Sequence, residues 1–178
     1  TVFMEYLKRE VRTDPKRSSL EKLNNLEFNN LETFENLFNT KAVVDEFYNE
    51  YKRNRDKLSS KIQGIRKPDD KEKYAQILFD RFIFLQFIQE KGFLSNDKKF
   101  LINKYEQLKR EKKTYFEDFL KCLFFDILNT PLEKRSNKLH EYADIPFLNG
   151  GLFREHRIEL ENNKIWISND VIEEIIYF

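Results

Sequence analysis

Apolar residues recur at three- and four-residue intervals over most of the chain, and this spacing predicts helices. Residues 2–11 read as a short amphipathic helix, followed by a polar, proline-containing break at 12–17. Ser18 with Glu21 is a capping-box pattern that opens a helix carrying Leu20, Leu23 and Leu26, with Phe28 closing the face. A short helix over 31–38 leads into a longer one from about Lys41 to Ile62, where Val43, Val44, Phe47, Tyr48, Tyr51 and Leu58 keep helical spacing, and Gly64 ends it. The strongest signal runs from about Asp70 to Lys91. Tyr74, Ile77, Leu78, Phe82, Leu85 and Ile88 form one stripe, and Phe79, Ile83, Phe84 and Phe87 widen it until most of the circumference is apolar, as suits the centre of a bundle. Gly92 is placed to stop this helix, with Phe93 and Leu94 folding back behind it. A more charged, peripheral helix is predicted for about 97–112. Thr114 with Glu117 then caps a helix bearing Phe116, Phe119, Leu120, Leu123, Phe124, Ile127 and Leu128.

The last quarter changes texture. Residues 145–153, Ile-Pro-Phe-Leu-Asn-Gly-Gly-Leu-Phe, read as an apolar loop. Arg157–Glu161 and Lys164–Ser168 alternate apolar and polar residues around Asn162-Asn163, which predicts a β-hairpin. Ser168 or Asp170 caps a final helix over 171–178. The expected fold class is therefore mainly α, a helical bundle with a small C-terminal β-hairpin. Its expected divisions are an N-terminal helix and linker over 1–17, the bundle over 18–144, and the loop, hairpin and next helix over 145–178. The absence of an initiator methionine and the apolar helix running to the last residue suggest a piece of a longer polypeptide.

Composition narrows the chemistry. The 178 residues carry 32 Lys plus Arg against 31 Asp plus Glu, so no global field marks a nucleic-acid binder and any basic surface is local. Four glycines leave no room for a glycine-rich phosphate or dinucleotide loop. Cys122 is the lone cysteine, so intrachain disulfides and thiolate zinc sites are out, a cytoplasmic location fits, and its apolar neighbours make it a core residue. Apolar runs fall far short of the roughly 20 residues of a membrane helix. The 18 phenylalanines are discounted as aromatic-stacking residues, because the chain is also rich in Asn, Lys and Ile, as AT-rich coding produces.

Few residues suggest catalysis. His140 and His156 lack ligand spacing, so no metal site is assigned, and no nucleophile elbow is present. Restriction nucleases pair an Asp with a later Glu-x-Lys around a divalent metal. Asp69 with Glu111 and Lys113, or Asp45 with Glu50 and Lys52, matches that string. Both candidates lie on helical segments, whereas such sites use a strand, so no catalytic residue is assigned. The basic clusters Lys52, Arg53, Arg55, Lys57, Lys61, Arg66, Lys67 and Lys109, Arg110, Lys112, Lys113 are candidates for DNA-phosphate contact. The alternative is a solvated face with acidic neighbours. Arg81, inside the apolar helix, needs a partner and predicts a buried ion pair.

Three strings together carry a family resemblance: Phe47-Tyr48-x-Glu50-Tyr51, the run from Tyr74 through Arg81, Phe84, Phe87 and Gln89 to Gly92-Phe93-Leu94, and Pro146 to Phe153. They resemble the helical region ahead of the methyltransferase domain in type IIG restriction-modification enzymes, over about residues 18–178. The Pro-Phe-Leu-Asn-Gly-Gly-Leu-Phe string is the most specific piece, though the family more usually has Tyr in place of Phe147. The resemblance implies a parent with an adenine-specific DNA methyltransferase, a possible endonuclease and a role in phage defence, acting on double-stranded DNA. The methyltransferase's Asn-Pro-Pro-Tyr and glycine-loop motifs are absent here, so S-adenosylmethionine and Mg2+ are expected only for the parent. The expected role is a non-catalytic connector between nuclease and methyltransferase domains, with Phe147, Asn149, Gly150, Gly151 and Phe153 forming an interdomain loop. The alternative is a free-standing helical protein- or DNA-binding module without catalysis.

Overall fold

The computed structural model describes residues 41–148 and 150–177, with side chains from Phe47 onward. The helices expected before residue 41, the Ser18–Glu21 capping box, the 1–17 linker and the loop residue Asn149 lie outside them, and the nuclease candidate Asp45 lies outside the residues whose side chains are described. The chain divides into two compact units, residues 1–53 with Phe178, and Asn54–Tyr177. Helix α1, Lys41–Lys61, runs through the boundary. On its first part Phe47 and Tyr51 stack one turn apart, ring centroids 6.2 Å apart.

The second unit is built around α2, Pro68–Glu90. Pro68 suits the first turn because the missing N–H has no partner to lose there, and Asp69 and Asp70 follow where negative charge favours the helix N-terminus. Tyr74, Ala75, Leu78, Phe79, Phe82, Leu85 and Ile88 are all buried. The end of α2 is a Schellman closure: Gly92 N–H donates to Gln89 O and Phe93 N–H to Ile88 O, both at 2.9 Å, with Gly92 at φ +81°. Leu94 folds into the core as the sequence predicts, but Phe93 stays exposed.

Helix α3, Phe100–Arg110, is charged outside yet buries Phe100, Leu101, Tyr105 and Leu108. It closes in the same way with no glycine. Lys113 N–H donates to Leu108 O, Lys112 N–H to Lys109 O, and Lys112 occupies the left-handed region at φ +56°. A side chain there is strained, so Lys112→Gly is expected to stabilise the protein by about 0.5–1 kcal/mol, after allowance for glycine's freer unfolded state. A rise in denaturant midpoint at constant slope is the check.

The next helix, α4, comprises Phe116–Leu120 and Cys122–Leu128, both wound as π-helix, with Lys121 N–H on Phe116 O and Asn129 N–H on Phe124 O. It buries every apolar position the spacing assigns it, but its capping differs from the expected one. Thr114 N–H and Oγ1 both donate to Asp118 Oδ2, at 2.7 and 2.8 Å, because the wider turn brings residue 118 rather than 117 back over the start. Glu117 pairs instead with Lys121. Cys122 is half-buried, not a core residue: on this wider winding it lies at the margin of the face that buries Leu123 and Phe124. Burial, with Asp126 beside it, pushes its thiol up to about 11.

The β-hairpin is not formed, and no strand occurs among the described residues. Its first half is helix α5, Arg157–Glu161. His156 caps α5, its Nδ1 accepting from Ile158 N–H, while Glu159 Oε2 accepts from His156 N–H. The second half is extended, with Ile165 and Ile167 buried and Trp166 exposed as alternation predicts. Its partner, however, is Gln63, whose N–H and O exchange hydrogen bonds with Trp166 at 3.0 and 3.1 Å. Helix α6, Asn169–Ile176, begins after Ser168 and buries Ile172, Ile175 and Ile176. No helix among the described residues is long and apolar enough to cross a membrane.

Candidate functional site

Arg81 is fully buried at the middle of α2, and its guanidinium organises the loop that follows α4. Nε donates to Leu152 O at 2.8 Å and Nη2 to Arg154 O at 2.8 Å. Nη1 and Nη2 also grip Glu159 bidentately, at 2.7 and 3.1 Å. Tyr74 OH donates to Glu159 Oε1 at 3.0 Å, so the carboxylate is satisfied by arginine, tyrosine and its own helix start. Burial first, and the neighbouring Glu159 charge second, hold the Tyr74 phenol well above its ordinary pKa, so it remains a donor. The cation also lies over the Phe124 ring, 5.0 Å from its centroid, and Phe125 at 5.4 Å. The ion pair expected for Arg81 is therefore present. Its partner escapes sequence reading because Glu159 falls in the segment assigned to a strand; the local signal available is the carboxylate three residues after His156 at a helix start.

This anchor fixes residues 145–153. Phe153, buried on the rings of Phe84 and Phe124, ends a 3₁₀ turn over Gly151–Phe153. Leu148 N–H donates to Leu128 O at 2.8 Å. Ile145 and Phe153 enter the core while Phe147 remains 37% exposed. Gly150 and Gly151 are exposed, neither has a positive φ, and an added Cβ would meet nothing within 4 Å at either. The loop's own geometry thus requires no glycine at these two positions, unlike Gly64 and Gly92.

The predicted phosphate contacts divide into paired and unpaired side chains. Arg53 pairs with Glu50 at 2.7 Å, Arg55 with Asp56 at 2.6 Å, Lys57 with Glu174 at 2.5 Å, Lys109 with Glu173 at 3.2 Å and Lys113 with Glu111 at 2.7 Å. Lys52, Lys61, Arg66, Lys67, Arg110 and Lys112 are exposed and have no ion pair among the described residues. Hydrogen bonds from Tyr105 and then Lys109 hold the Glu173 carboxyl below its usual range, so this pairing persists at neutral pH. Asn169, which the sequence does not single out, ties α6 to the α3–α4 junction: its Oδ1 accepts from Tyr115 N–H and its Nδ2 donates to Lys113 O.

The nuclease string is not assembled as a metal site. Glu111 and Lys113 face each other across the end of α3, and Asp69 stands in the first turn of α2. No group of three or more His, Cys, Asp or Glu that could hold a metal occurs among the described residues.

Comparison with known proteins adds the following. The family described as "Domain of unknown function (DUF7814)" matches residues 73–175. Over 114 residues, 61% of this chain, the sequence is 38% identical to a protein of Methanocaldococcus jannaschii named "Putative type II restriction enzyme and methyltransferase RM.MjaORFECS2P". The chain spans 10% of the length of that relative. No solved structure matches.

Proposed function

The chain belongs to the family described as Domain of unknown function (DUF7814), and from that membership together with its restriction-modification relative we propose that it is the helical connector of a type IIG-like restriction-modification enzyme. In this reading it carries no catalysis. It sets an adenine-specific methyltransferase, and a nuclease where the parent has one, in fixed relation on double-stranded DNA, and S-adenosylmethionine and Mg2+ belong to those adjoining domains. The identity to a named restriction enzyme and methyltransferase is the observation that carries the reading. The unpaired cations Lys52, Lys61, Arg66, Lys67, Arg110 and Lys112 contact phosphates, which positions a protein on DNA without specifying sequence.

The loop supports the same reading. Gly150 and Gly151 present bare backbone to the outside, which lets another polypeptide surface approach closely, and Arg81 holds the chain just after them through the carbonyls of Leu152 and Arg154. Phe147, Asn149, Gly150 and Gly151 of the interdomain loop then pack against the methyltransferase, whereas Phe153, expected among these contacts, is buried on Phe84 and Phe124 and anchors the loop from within. The test begins with translating the DNA on both sides of this segment. Asn-Pro-Pro-Tyr and a methyltransferase glycine loop downstream are expected, and a stop codon directly after Phe178 would sink the reading. In the full-length enzyme, Gly150→Leu and Gly151→Leu are then expected to change thermal unfolding by no more than about 0.5 kcal/mol, as exposed substitutions do, while lowering DNA methylation about ten-fold. Unchanged methylation would make the loop an ordinary turn.

A further inference from the structure

A group of cations on the second unit lies outside both sequence-predicted basic clusters. A cavity of about 440 Å³ opens beside the end of α4, lined by Asp126, Thr130, Lys134, Arg135, Ser136, Lys138 and the apolar Leu139. Three cations therefore face one carboxylate, in a chain whose total charges nearly balance. Asp126 lies near the Cys122 thiol, and its charge helps to push that thiol up. Lys134 and Lys138 are exposed and have no ion pair among the described residues.

Arg135 is the informative residue. Its Nε donates to Thr130 O and its Nη1 to Tyr142 O, both at 3.0 Å, so two neutral carbonyls hold the guanidinium in place, and the Glu133 charge acts on it without an ion-pair contact among the described residues. Its Nη2 is buried and has no hydrogen-bond partner. A structural arginine would be expected to end on a carboxylate, as Arg81 does on Glu159. Fixed by two carbonyls, half-buried and with one guanidinium nitrogen left without a partner, Arg135 has the properties of an anion-recognition residue. Ser136 Oγ accepts from Lys138 N–H, which leaves its own hydrogen available to an anion oxygen. A concave wall with cations in excess, three against the Asp126 carboxylate, favours a ligand of negative charge.

We infer that this cavity binds a phosphate group, held by Arg135 and Ser136 with Lys134 and Lys138 closing over it. A bare carboxylate would leave these converging donors unfilled, whereas the oxygens of a phosphate can accept from all of them. The site does not depend on the connector reading, since a missing methyltransferase downstream would leave its lining unchanged.

The test uses the whole chain and two probes, inorganic phosphate and a DNA duplex, followed through backbone amide NMR signals and duplex fluorescence anisotropy. Amide shifts clustered over residues 130–139 are expected. Shifts with inorganic phosphate alone identify a free phosphate, and shifts with the duplex identify a backbone phosphodiester. Where the duplex binds, Lys134→Glu with Lys138→Glu is expected to weaken it about ten-fold and to reduce the slope of log affinity against log salt by about 1. Arg135→Lys, which keeps the charge and loses the fork, is expected to weaken whichever probe binds. Lys73→Glu with Lys164→Glu makes the same charge change on exposed lysines that do not line the cavity. Equal losses in that control, or no shifts over 130–139 with either probe, would overturn the site.

Discussion

Arg81→Met is expected to destabilise the second unit by about 3–5 kcal/mol, the effect of breaking a buried ion pair from one side. Three consequences follow from the geometry. Glu159, 9% exposed at its side chain, loses its bidentate partner and keeps only Tyr74 and its own helix start as donors. The carbonyls of Leu152 and Arg154 lose their donor in the interior. The rings of Phe124 and Phe125 lose the cation beside them. Methionine replaces most of the volume, so a cavity accounts for little of the cost and the unpaired charge for most of it. Pairing Arg81→Met with Glu159→Gln separates these contributions. The double variant is expected to recover 1 kcal/mol or more, about the lower range for contacting residues, because the charge is gone while the carbonyls remain unsatisfied. Chemical denaturation of the four proteins measures the coupling. Additive effects would mean that the two side chains do not act as a unit.

How much of this was legible in the chain depends on whether the deciding contact is local. Helix α2 was legible, from about Asp70 against an observed start at Pro68, because its near-continuous apolar circumference and its stop at Gly92 are written in the local sequence. Arg81 was legible as a residue needing a partner, but not the partner's identity, since Glu159 lies 78 positions away. The segment from Arg157 to Glu161 is too short for periodicity to choose between helix and strand. Ile158 and Leu160 fit alternation, and the helix prevails because it lets Glu159 reach Arg81 and the start of α5 together. The following segment alternates as a strand should, yet it pairs with the end of α1, not with its neighbour. The basic clusters show the same limit. Lys57 and Lys109 read in sequence as phosphate-contact candidates or as part of a solvated face with acidic neighbours, and the partners they have, Glu174 and Glu173, come from the distant α6. Arg135 escaped notice because its significance lies in two backbone carbonyls that no side-chain pattern encodes.

Gly64→Ala is expected to cost about 3 kcal/mol or more and to lower the melting temperature on the order of 10 °C, although the glycine sits at the exposed end of a helix. Sequence reading makes Gly64 a helix stop, for which alanine would be a mild change. The structure gives it a harder constraint. It has φ +85°, where a β-carbon is itself strained by about 1–2 kcal/mol. That β-carbon would also lie 2.0 Å from the carbonyl oxygen of Lys164 and 2.9 Å from the nitrogen of Ile165. Both are backbone atoms, so no side-chain rotation relieves the contact. The strand-like segment must shift, and with it go the two Gln63–Trp166 hydrogen bonds and the burial of Ile165 and Ile167. Gly92→Ala provides the comparison: its φ is equally unfavourable, but its nearest neighbour is the side-chain oxygen of Asn96 at 3.0 Å, which can move aside. Its cost is accordingly about 1–2 kcal/mol. Thermal melts of the two variants side by side separate backbone strain, which both share, from steric exclusion, which only Gly64 carries; equal losses would show that the approach of Lys164 is not what requires glycine there.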